Sequence, residues 1–210
     1  MIKYIIFDFD GTIANTNDII IESWQAAFMK FAGHTVPVEE IERTFGETVE
    51  DTIKTKLPDE NWIDVRDFFR DYQKNECKAQ ISLFPGIREM LEELKAKGIK
   101  MATATSRTAK SYHNFMRELD LEKYFDVEIT MDDVKTHKPA PESILVALAK
   151  MGAKPEETLM VGDTRFDIGC AYNAGVDSVI IHWSHAIGEL NWEPTYVAES
   201  PADIIKIVEA

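Results

Sequence analysis

The sequence has 210 residues, of which 45% are apolar, so it is long enough and apolar enough for one sizeable folded domain. Its formal net charge of −14 argues against nucleic acid as a partner, because phosphate backbones attract basic surfaces. It has neither the long apolar run of a membrane span nor that of a signal peptide, and its two cysteines lie far apart. We therefore expect a cytoplasmic protein with reduced thiols and no membrane partner.

The first predicted element is a strand within residues 5–12, a dense apolar run that ends in two aspartates and is typical of a buried strand in a parallel sheet. Asp8 and Asp10 could be turn residues that cap a following helix, but this would explain only one of them. Residues two apart in a strand point the same way, so both carboxylates converge on one point. A divalent cation is their natural partner there.

The segment that follows shows apolar residues at helical spacing and no strand pattern between residues 18 and 82. Helices are predicted over residues 20–32, 38–44, 48–56 and 62–78. We expect residues 17–82 to form a helical domain inserted after the first strand, and residues 1–16 and 83–210 to form the core domain.

From residue 83 onward, predicted strands alternate with predicted helices. The strands cover residues 99–105, 127–130, 158–162, 178–181 and 196–197. The helices cover residues 85–97, 109–119, 141–151, 166–174 and 201–208. This alternation, at spacings that suit right-handed crossovers, predicts an α/β fold with a doubly wound parallel sheet.

Polar side chains follow several of these strands, at the sheet edge where open parallel sheets bind their ligands. They are Thr105, Ser106 and Arg107 after the second strand, Lys138 in the loop after the third, and Asp163 and Asp167 after the fourth. Each has a simpler explanation, because hydroxyls and carboxylates often stand at helix N-termini and a single lysine is usually solvated. Together with Asp8 and Asp10, however, they supply what phosphoryl transfer requires: a nucleophile, ligands for Mg²⁺, hydrogen-bond donors and a fixed cation.

In this order, these residues resemble the motifs of the haloacid dehalogenase (HAD) superfamily of phosphohydrolases. The matching segments are 8–12 (DFDGT), 105–106 (TS), 138–139 (KP) and 162–167 (GDTRFD). The helical block is similar to the α-helical cap of the phosphoglycolate phosphatase-like branch. Residues 124–175 look especially like that branch and its bacterial inorganic pyrophosphatase relatives. The resemblance implies a Rossmann-like HAD core with an all-helical cap inserted after strand one.

The resemblance also implies a role for each matched residue. Asp8 would be the nucleophile that forms an aspartyl-phosphate, while Asp10 would protonate the leaving oxygen and then activate the hydrolytic water. Mg²⁺ would lie on the Asp8 carboxylate, the Asp10 backbone carbonyl and Asp163. Thr12 and Asp167 would support the site. Thr105 and the Ser106 backbone would hold phosphoryl oxygens, and Lys138 would neutralise the charge shared by Asp8 and the phosphate.

Substrate contacts are implied for Glu47 and Thr48 in the helical block and for Arg107 in the core. Many phosphatases of this branch carry Thr-Asn-Lys where this chain has Thr105, Ser106 and Arg107, a difference that bears on substrate preference. The related sugar-phosphate mutases have an arginine close to the place of Val49, so mutase activity is disfavoured. No role is assigned to the three remaining candidates, Arg43, His182 and His185.

We therefore expect a Mg²⁺-dependent phosphohydrolase, similar to phosphoglycolate phosphatase, that acts on a small phosphorylated metabolite. Inorganic pyrophosphate hydrolysis and sugar-phosphate isomerisation are the enzymatic alternatives. The alternative from another class is a signalling receiver domain, which also surrounds a phosphorylated aspartate with acids, a hydroxyl and a lysine. A receiver would lack both the helical block and the second carboxylate at Asp10. The sequence predicts neither the particular substrate nor the oligomeric state.

Overall fold

The computed structural model of the chain describes residues 1–77, 80–184, 186 and 188–210. Its strands, in chain order, are β1 (Tyr4–Phe7), β2 (Ala14–Asn15), β3 (Ser82–Leu83), β4 (Lys100–Ala104), β5 (Val127–Ile129), β6 (Thr158–Gly162), β7 (Asp177–Ile181) and β8 (Tyr196–Ala198). Its helices are α1 (Asn17–Phe31), α2 (Val38–Glu42), α3 (Val49–Lys56), α4 (Trp62–Asn75), α5 (Ile87–Ala96), α6 (Ala109–Glu118), α7 (Glu142–Met151), α8 (Arg165–Ala174) and α9 (Pro201–Glu209).

Six strands form one sheet in the order β5-β4-β1-β6-β7-β8, and every neighbouring pair is parallel. Successive side chains of β1 point to opposite faces of this sheet. Ile5 and Phe7 belong to a buried core shared with α5, α6 and α9, whereas Ile6 belongs to a second core shared with α7 and α8. The predicted α/β fold with a doubly wound parallel sheet is therefore confirmed.

Strand β1 lies near the middle of the sheet, between β4 and β6. From β1 the chain proceeds to β4 and β5 on one side, then crosses to β6 on the other, so the strand order reverses at β1. In open parallel sheets such a reversal leaves a crevice outside the carboxyl ends of the strands, where ligands bind. The carboxyl end of β1 therefore faces this crevice, and the two predicted aspartates follow it directly.

Along the chain, helices α1 to α4 come after β1 and before the other strands of the six-stranded sheet. These four helices have a core of their own. Trp24, Phe28, Ile41, Val65 and Phe69 are buried in it. A separate core is what an independent helical unit requires, because each helix must bury one apolar face. We therefore propose that residues 17–82 form a cap over the sheet edge, as the sequence predicts.

Two details of the cap differ from the sequence prediction. The chain enters and leaves it through β2 and β3, which pair antiparallel as a two-stranded ribbon. Strands of two residues are too short to show an alternating pattern, so the sequence did not indicate them. Helix α4 ends at Asn75 instead of residue 78, and Lys78 lies outside the described residues. Among the described residues, none of the helices has the length and apolarity that crossing a membrane would need.

Candidate active site

Three carboxylates meet at the carboxyl ends of β1 and β6. Asp8 follows β1, Asp163 follows β6, and Asp167 lies in the first turn of α8. One oxygen from each lies within 4.8 Å of the others, and all three residues are buried. The strand ends thus bring Asp8, Asp163 and Asp167 together, whereas the Asp10 carboxylate, which the sequence predicts beside that of Asp8, is not a member of this cluster.

The ammonium group of Lys138 lies against this triad. Lys138 Nζ is 2.6 Å from Asp8 Oδ1 and 2.6 Å from Asp167 Oδ1, and only 4% of its side chain is exposed. Burial alone would lower the pKa of Lys138, but the charges of Asp167 and Asp8 outweigh it and raise that pKa. Lys138 therefore lies as a fixed cation between the Asp8 and Asp167 carboxylates.

The single positive charge of Lys138 does not neutralise the three buried carboxylates when all of them are ionised. Burial raises the pKa of Asp8 well above its ordinary value, and the neighbouring acids Asp167, Asp163 and Asp10 act in the same direction. Burial, followed by the charge of Asp167, raises the pKa of Asp163 to about 7.

Three ionised carboxylates and one ammonium leave two negative charges in a buried place, which is costly without a further cation. A divalent cation would balance this charge. Carboxylate oxygens are the ligands that Mg²⁺ prefers, so the donor set fits that ion.

Two hydroxyl groups orient the Asp163 carboxylate. Ser184 Oγ donates to Asp163 Oδ2 at 2.7 Å, and Thr12 Oγ1 donates to Asp163 Oδ1 at 3.3 Å. Trp183 Nε1 in turn donates to the Thr12 carbonyl at 3.0 Å. Sequence reasoning identified Thr12, whereas for the run 182–185, which includes Trp183 and Ser184, it favoured packing of the loop over a place in the crevice. The available signal was their position just after β7, at the same edge of the sheet as the other strand ends.

The close approach of Asp163 explains the glycine in the first motif. Gly11 has a φ of +77°, and a Cβ atom there would lie 2.1 Å from Asp163 Oδ2. Residues other than glycine rarely adopt that backbone conformation, and no side chain at position 11 would fit beside the Asp163 carboxylate. Gly11 therefore allows the turn after β1 to lie directly against the acid that follows β6.

The second aspartate of the first motif has different partners. Arg107 contacts both carboxylate oxygens of Asp10, through Nε at 3.0 Å and Nη2 at 2.5 Å. Thr16 Oγ1 donates to the same carboxylate at 2.8 Å. The side chains of Asp8 and Asp10 thus have separate environments. Asp8 contacts Lys138 and lies beside Asp163 and Asp167, whereas Asp10 contacts Arg107.

The remaining core residues predicted for the site also lie at these strand ends. Asp167 has two structural partners, because Oδ1 accepts from Lys138 while Oδ2 accepts from the backbone and hydroxyl groups of Thr164 and so caps α8. Thr105 is buried, and its hydroxyl accepts a hydrogen bond from the Arg107 backbone. Ser106 Oγ donates to a backbone carbonyl of the cap.

A cavity of about 110 Å³ lies between the sheet edge and the helical segment. Asp8 and Asp10 line it on the core side. Apolar side chains form much of the opposite wall: Ile20, Trp24, Phe45, Val49 and Phe69. The cavity therefore joins the two strand-end aspartates to an apolar wall contributed by the helical segment.

The cap residues predicted as substrate contacts have different positions. Glu47 lines the cavity and lies 3.7 Å from Arg165 of the core. Thr48 instead caps α3, where its hydroxyl accepts from the Asp51 backbone and donates to the Asp51 carboxylate. Of the three residues without an assigned role, Arg43 and His182 are exposed and are not in the described lining, and His182 is paired with Glu199. His185 lies outside the described residues.

Comparison with known proteins agrees with this geometry. Residues 5–181 match the sequence model of the haloacid dehalogenase-like hydrolase family. The chain belongs to this family. A relative from Caldanaerobacter subterraneus subsp. tengcongensis, named provisionally as the pyrophosphatase PpaX, is 34% identical over 210 residues, which cover 99% of this chain and 95% of that protein. Pyrophosphatase PpaX of Oceanobacillus iheyensis is 32% identical over 99% of this chain and 97% of its own length.

Among solved structures, a predicted phosphoglycolate phosphatase from Haemophilus somnus aligns with a TM-score of 0.83 and 24% identity, covering 98% of this chain and 97% of that one. At this identity the likeness shows the shared fold. Membership of the haloacid dehalogenase-like hydrolases confirms that the chain is a hydrolase of the phosphatase type. The receiver-domain alternative is therefore wrong.

Proposed function

We propose that this protein is a Mg²⁺-dependent phosphohydrolase that acts through an aspartyl-phosphate on Asp8. The observation that carries the proposal is the place of Asp8: its carboxylate is buried beside Lys138, within 4.8 Å of two further carboxylates, and lines the small cavity under the cap. This is the arrangement that nucleophilic phosphoryl transfer needs.

In the first step, an Asp8 oxygen forms a bond to phosphorus while the bond from phosphorus to the leaving oxygen breaks. Asp10 donates a proton to that leaving oxygen. Lys138 compensates the charge shared by Asp8 and the phosphoryl group, and the Thr105 hydroxyl and Ser106 backbone bind phosphoryl oxygens. When bound, Mg²⁺ would hold Asp8 and Asp163 ionised and lower the negative charge of the phosphoryl oxygens.

In the second step, a water molecule attacks the same phosphorus from the side that the leaving group has vacated. Asp10, now ionised, takes the proton of this water, and the bond between Asp8 and phosphorus breaks. Free phosphate and the original carboxylate result. The cap supports this order of events, because closing it excludes other water until the leaving group has been protonated.

Inorganic pyrophosphate is the first substrate that we propose. The relatives that are 32% to 34% identical over nearly the whole chain carry the name pyrophosphatase, whereas the phosphoglycolate phosphatase name comes with a structure at 24% identity. Phosphoglycolate is the second candidate, because it is equally small and also carries a second anionic group. Isomerisation of sugar phosphates is disfavoured, since the apolar Val49 lines the cavity near the place where the mutases have an arginine.

Phosphate release tests the proposal. The wild-type protein should release phosphate from pyrophosphate and from p-nitrophenyl phosphate only when Mg²⁺ is present, and Asp8→Asn should release none. Acid-quenched wild-type protein should carry one phosphoryl group on the peptide that contains Asp8. Asp10→Asn should accumulate that species, because it lacks the base for the second step. Full turnover by Asp8→Asn would exclude the mechanism.

A further inference from the structure

Arg107 holds the proposed acid–base residue through two of its three guanidinium nitrogens. Its guanidinium has five N–H groups. Nε and Nη2 contact the two oxygens of Asp10, while Nη1 contacts Ser111 Oγ at 2.8 Å and Gln73 Oε1 at 3.5 Å. The two-point contact with a carboxylate is the strongest that arginine makes, because its planar group matches both oxygens.

Packing fixes the guanidinium in this position. Only 9% of the Arg107 side chain is exposed, and the guanidinium carbon lies 4.6 Å from the centre of the Phe115 ring. Ser111 and Phe115 are residues of α6 in the core, while Gln73 is a residue of α4 in the cap. Arg107 thus lies where the core, the cap and the proposed acid–base residue meet.

The cavity has two arginines in its described lining, Arg70 and Arg107. Arg70 is already paired within the cap, since its Nη2 lies 3.0 Å from Glu50 Oε1. Arg107 is paired with Asp10, and Asp10 must direct an oxygen at the leaving group to protonate it. The contact between Arg107 and Asp10 therefore has to be loosened in the reaction.

We propose that Arg107 is the specificity residue for the leaving group. An anionic group on the leaving side would bind the Arg107 guanidinium in place of one Asp10 oxygen, and this exchange would free that oxygen to face the leaving atom. The substrate class is then a small phosphate compound whose leaving group carries a second anionic group. The inference rests on the proposed function. It adds recognition of the leaving group, which the residues that bind the phosphoryl group do not contact.

Binding of two matched inhibitors tests the inference without turnover. Methylenediphosphonate carries the second anionic group and methylphosphonate lacks it, so the ratio of their dissociation constants isolates that group. Calorimetric titration, with and without Mg²⁺, should show that wild-type protein binds the diphosphonate at least about tenfold more tightly, as expected for one charge-assisted contact. Arg107→Gln should lose this preference while still binding methylphosphonate, and Arg107→Lys should retain part of it.

Two further arginine variants serve as controls. Arg117→Gln makes the same charge change at an exposed position of α6, and Arg70→Gln makes it elsewhere in the cavity lining. Both should keep the preference for the diphosphonate. If Arg107→Gln does not fold, the double variant Asp10→Asn with Arg107→Gln leaves no unpaired carboxylate at the partly buried position 10 and gives the same binding comparison. An unchanged preference in both Arg107 variants, or its loss in Arg70→Gln alone, would overturn the inference.

Kinetics separates this inference from the proposed function. For Arg107→Gln, the ratio of kcat/KM for pyrophosphate to kcat/KM for p-nitrophenyl phosphate should fall at least about tenfold, with kcat and KM for pyrophosphate both affected. An unchanged ratio with ordinary phosphate release in both proteins would contradict the role of Arg107 only. No phosphate release from either substrate by the wild-type protein would instead contradict the proposed function.

Discussion

The metal-free protein should become less stable as the pH rises, because Asp163 is buried among other acids. Burial and the charge of Asp167 raise the pKa of Asp163 from an ordinary value of 3.8 to about 7. Between these values, Asp163 is protonated in the folded chain and ionised in the unfolded chain, so unfolding releases a proton. Its contribution to stability is therefore fully present below about pH 4 and is lost as the pH rises to about 7.

The difference between the two pKa values corresponds to about 4 kcal/mol. This is a large part of the free energy of unfolding of a typical domain, about 5–15 kcal/mol. A bound divalent cation takes the place of the proton, so Mg²⁺ should remove most of this pH dependence. Mg²⁺ binding at about pH 6 should also release protons, because ligands of a metal must be deprotonated.

Urea unfolding of the metal-free protein and of Asp163→Asn, measured at several pH values, isolates this effect. The wild-type protein should lose up to about 4 kcal/mol relative to the variant between about pH 4 and pH 7. Asp203→Asn is a control that should show no such change over this range: Lys206 and Ser200 lower the pKa of Asp203 to about 2, so its contribution is lost only as the pH falls from about 4 to about 2. A constant difference between wild-type protein and Asp163→Asn across this range would refute the reasoning.

Three further substitutions have definite expected outcomes. Gly46→Ala should lower kcat/KM about tenfold, as measured by steady-state phosphate release. The φ of Gly46 is +87°, and a Cβ atom there would lie 2.6 Å from Thr164 Oγ1, so the substitution should displace the cap loop. Ser184→Ala should weaken Mg²⁺ binding about tenfold by removing the hydrogen bond to Asp163, and an unchanged calorimetric affinity would contradict this. Phe69→Ala should destabilise the cap by about 3–5 kcal/mol, because Phe69 is buried in its core, and denaturant unfolding checks this value.

The sequence predicts the fold and the members of the site better than it predicts their contacts. Strands such as β1 and β6 are dense apolar runs, and the polar residues after them stand at one edge by the geometry of a parallel sheet. Asp8, Lys138 and Asp163 could be named for this reason. Their spacing in the chain says nothing of how charge is distributed among them, which depends on burial.

Contacts between residues far apart in the chain could not be predicted. Arg107 and Asp10 are separated by 97 positions, and no local pattern indicates that they pair. The same holds for Ser184, which follows β7 in a segment without regular structure. Thr48 shows the converse: its place in the cap loop suggested a substrate contact, while its hydroxyl is used to cap α3. Capping is a local effect, and here it takes the side chain away from the cavity.

The described polar contacts between the proposed cap and the core are weak, and this suits the opening for product release that the proposed function requires. Ser106 Oγ donates to the Gly46 carbonyl at 3.2 Å, and Arg165 lies 3.7 Å from Glu47 with 30% of its side chain exposed. A neutral hydrogen bond contributes about 1 kcal/mol, and a partly exposed ion pair contributes at most about as much. The separate cap core keeps its helices together when these contacts break. In the proposed mechanism, opening for product release therefore breaks few polar contacts, together with the apolar packing of Ala186 against the core of the helical segment.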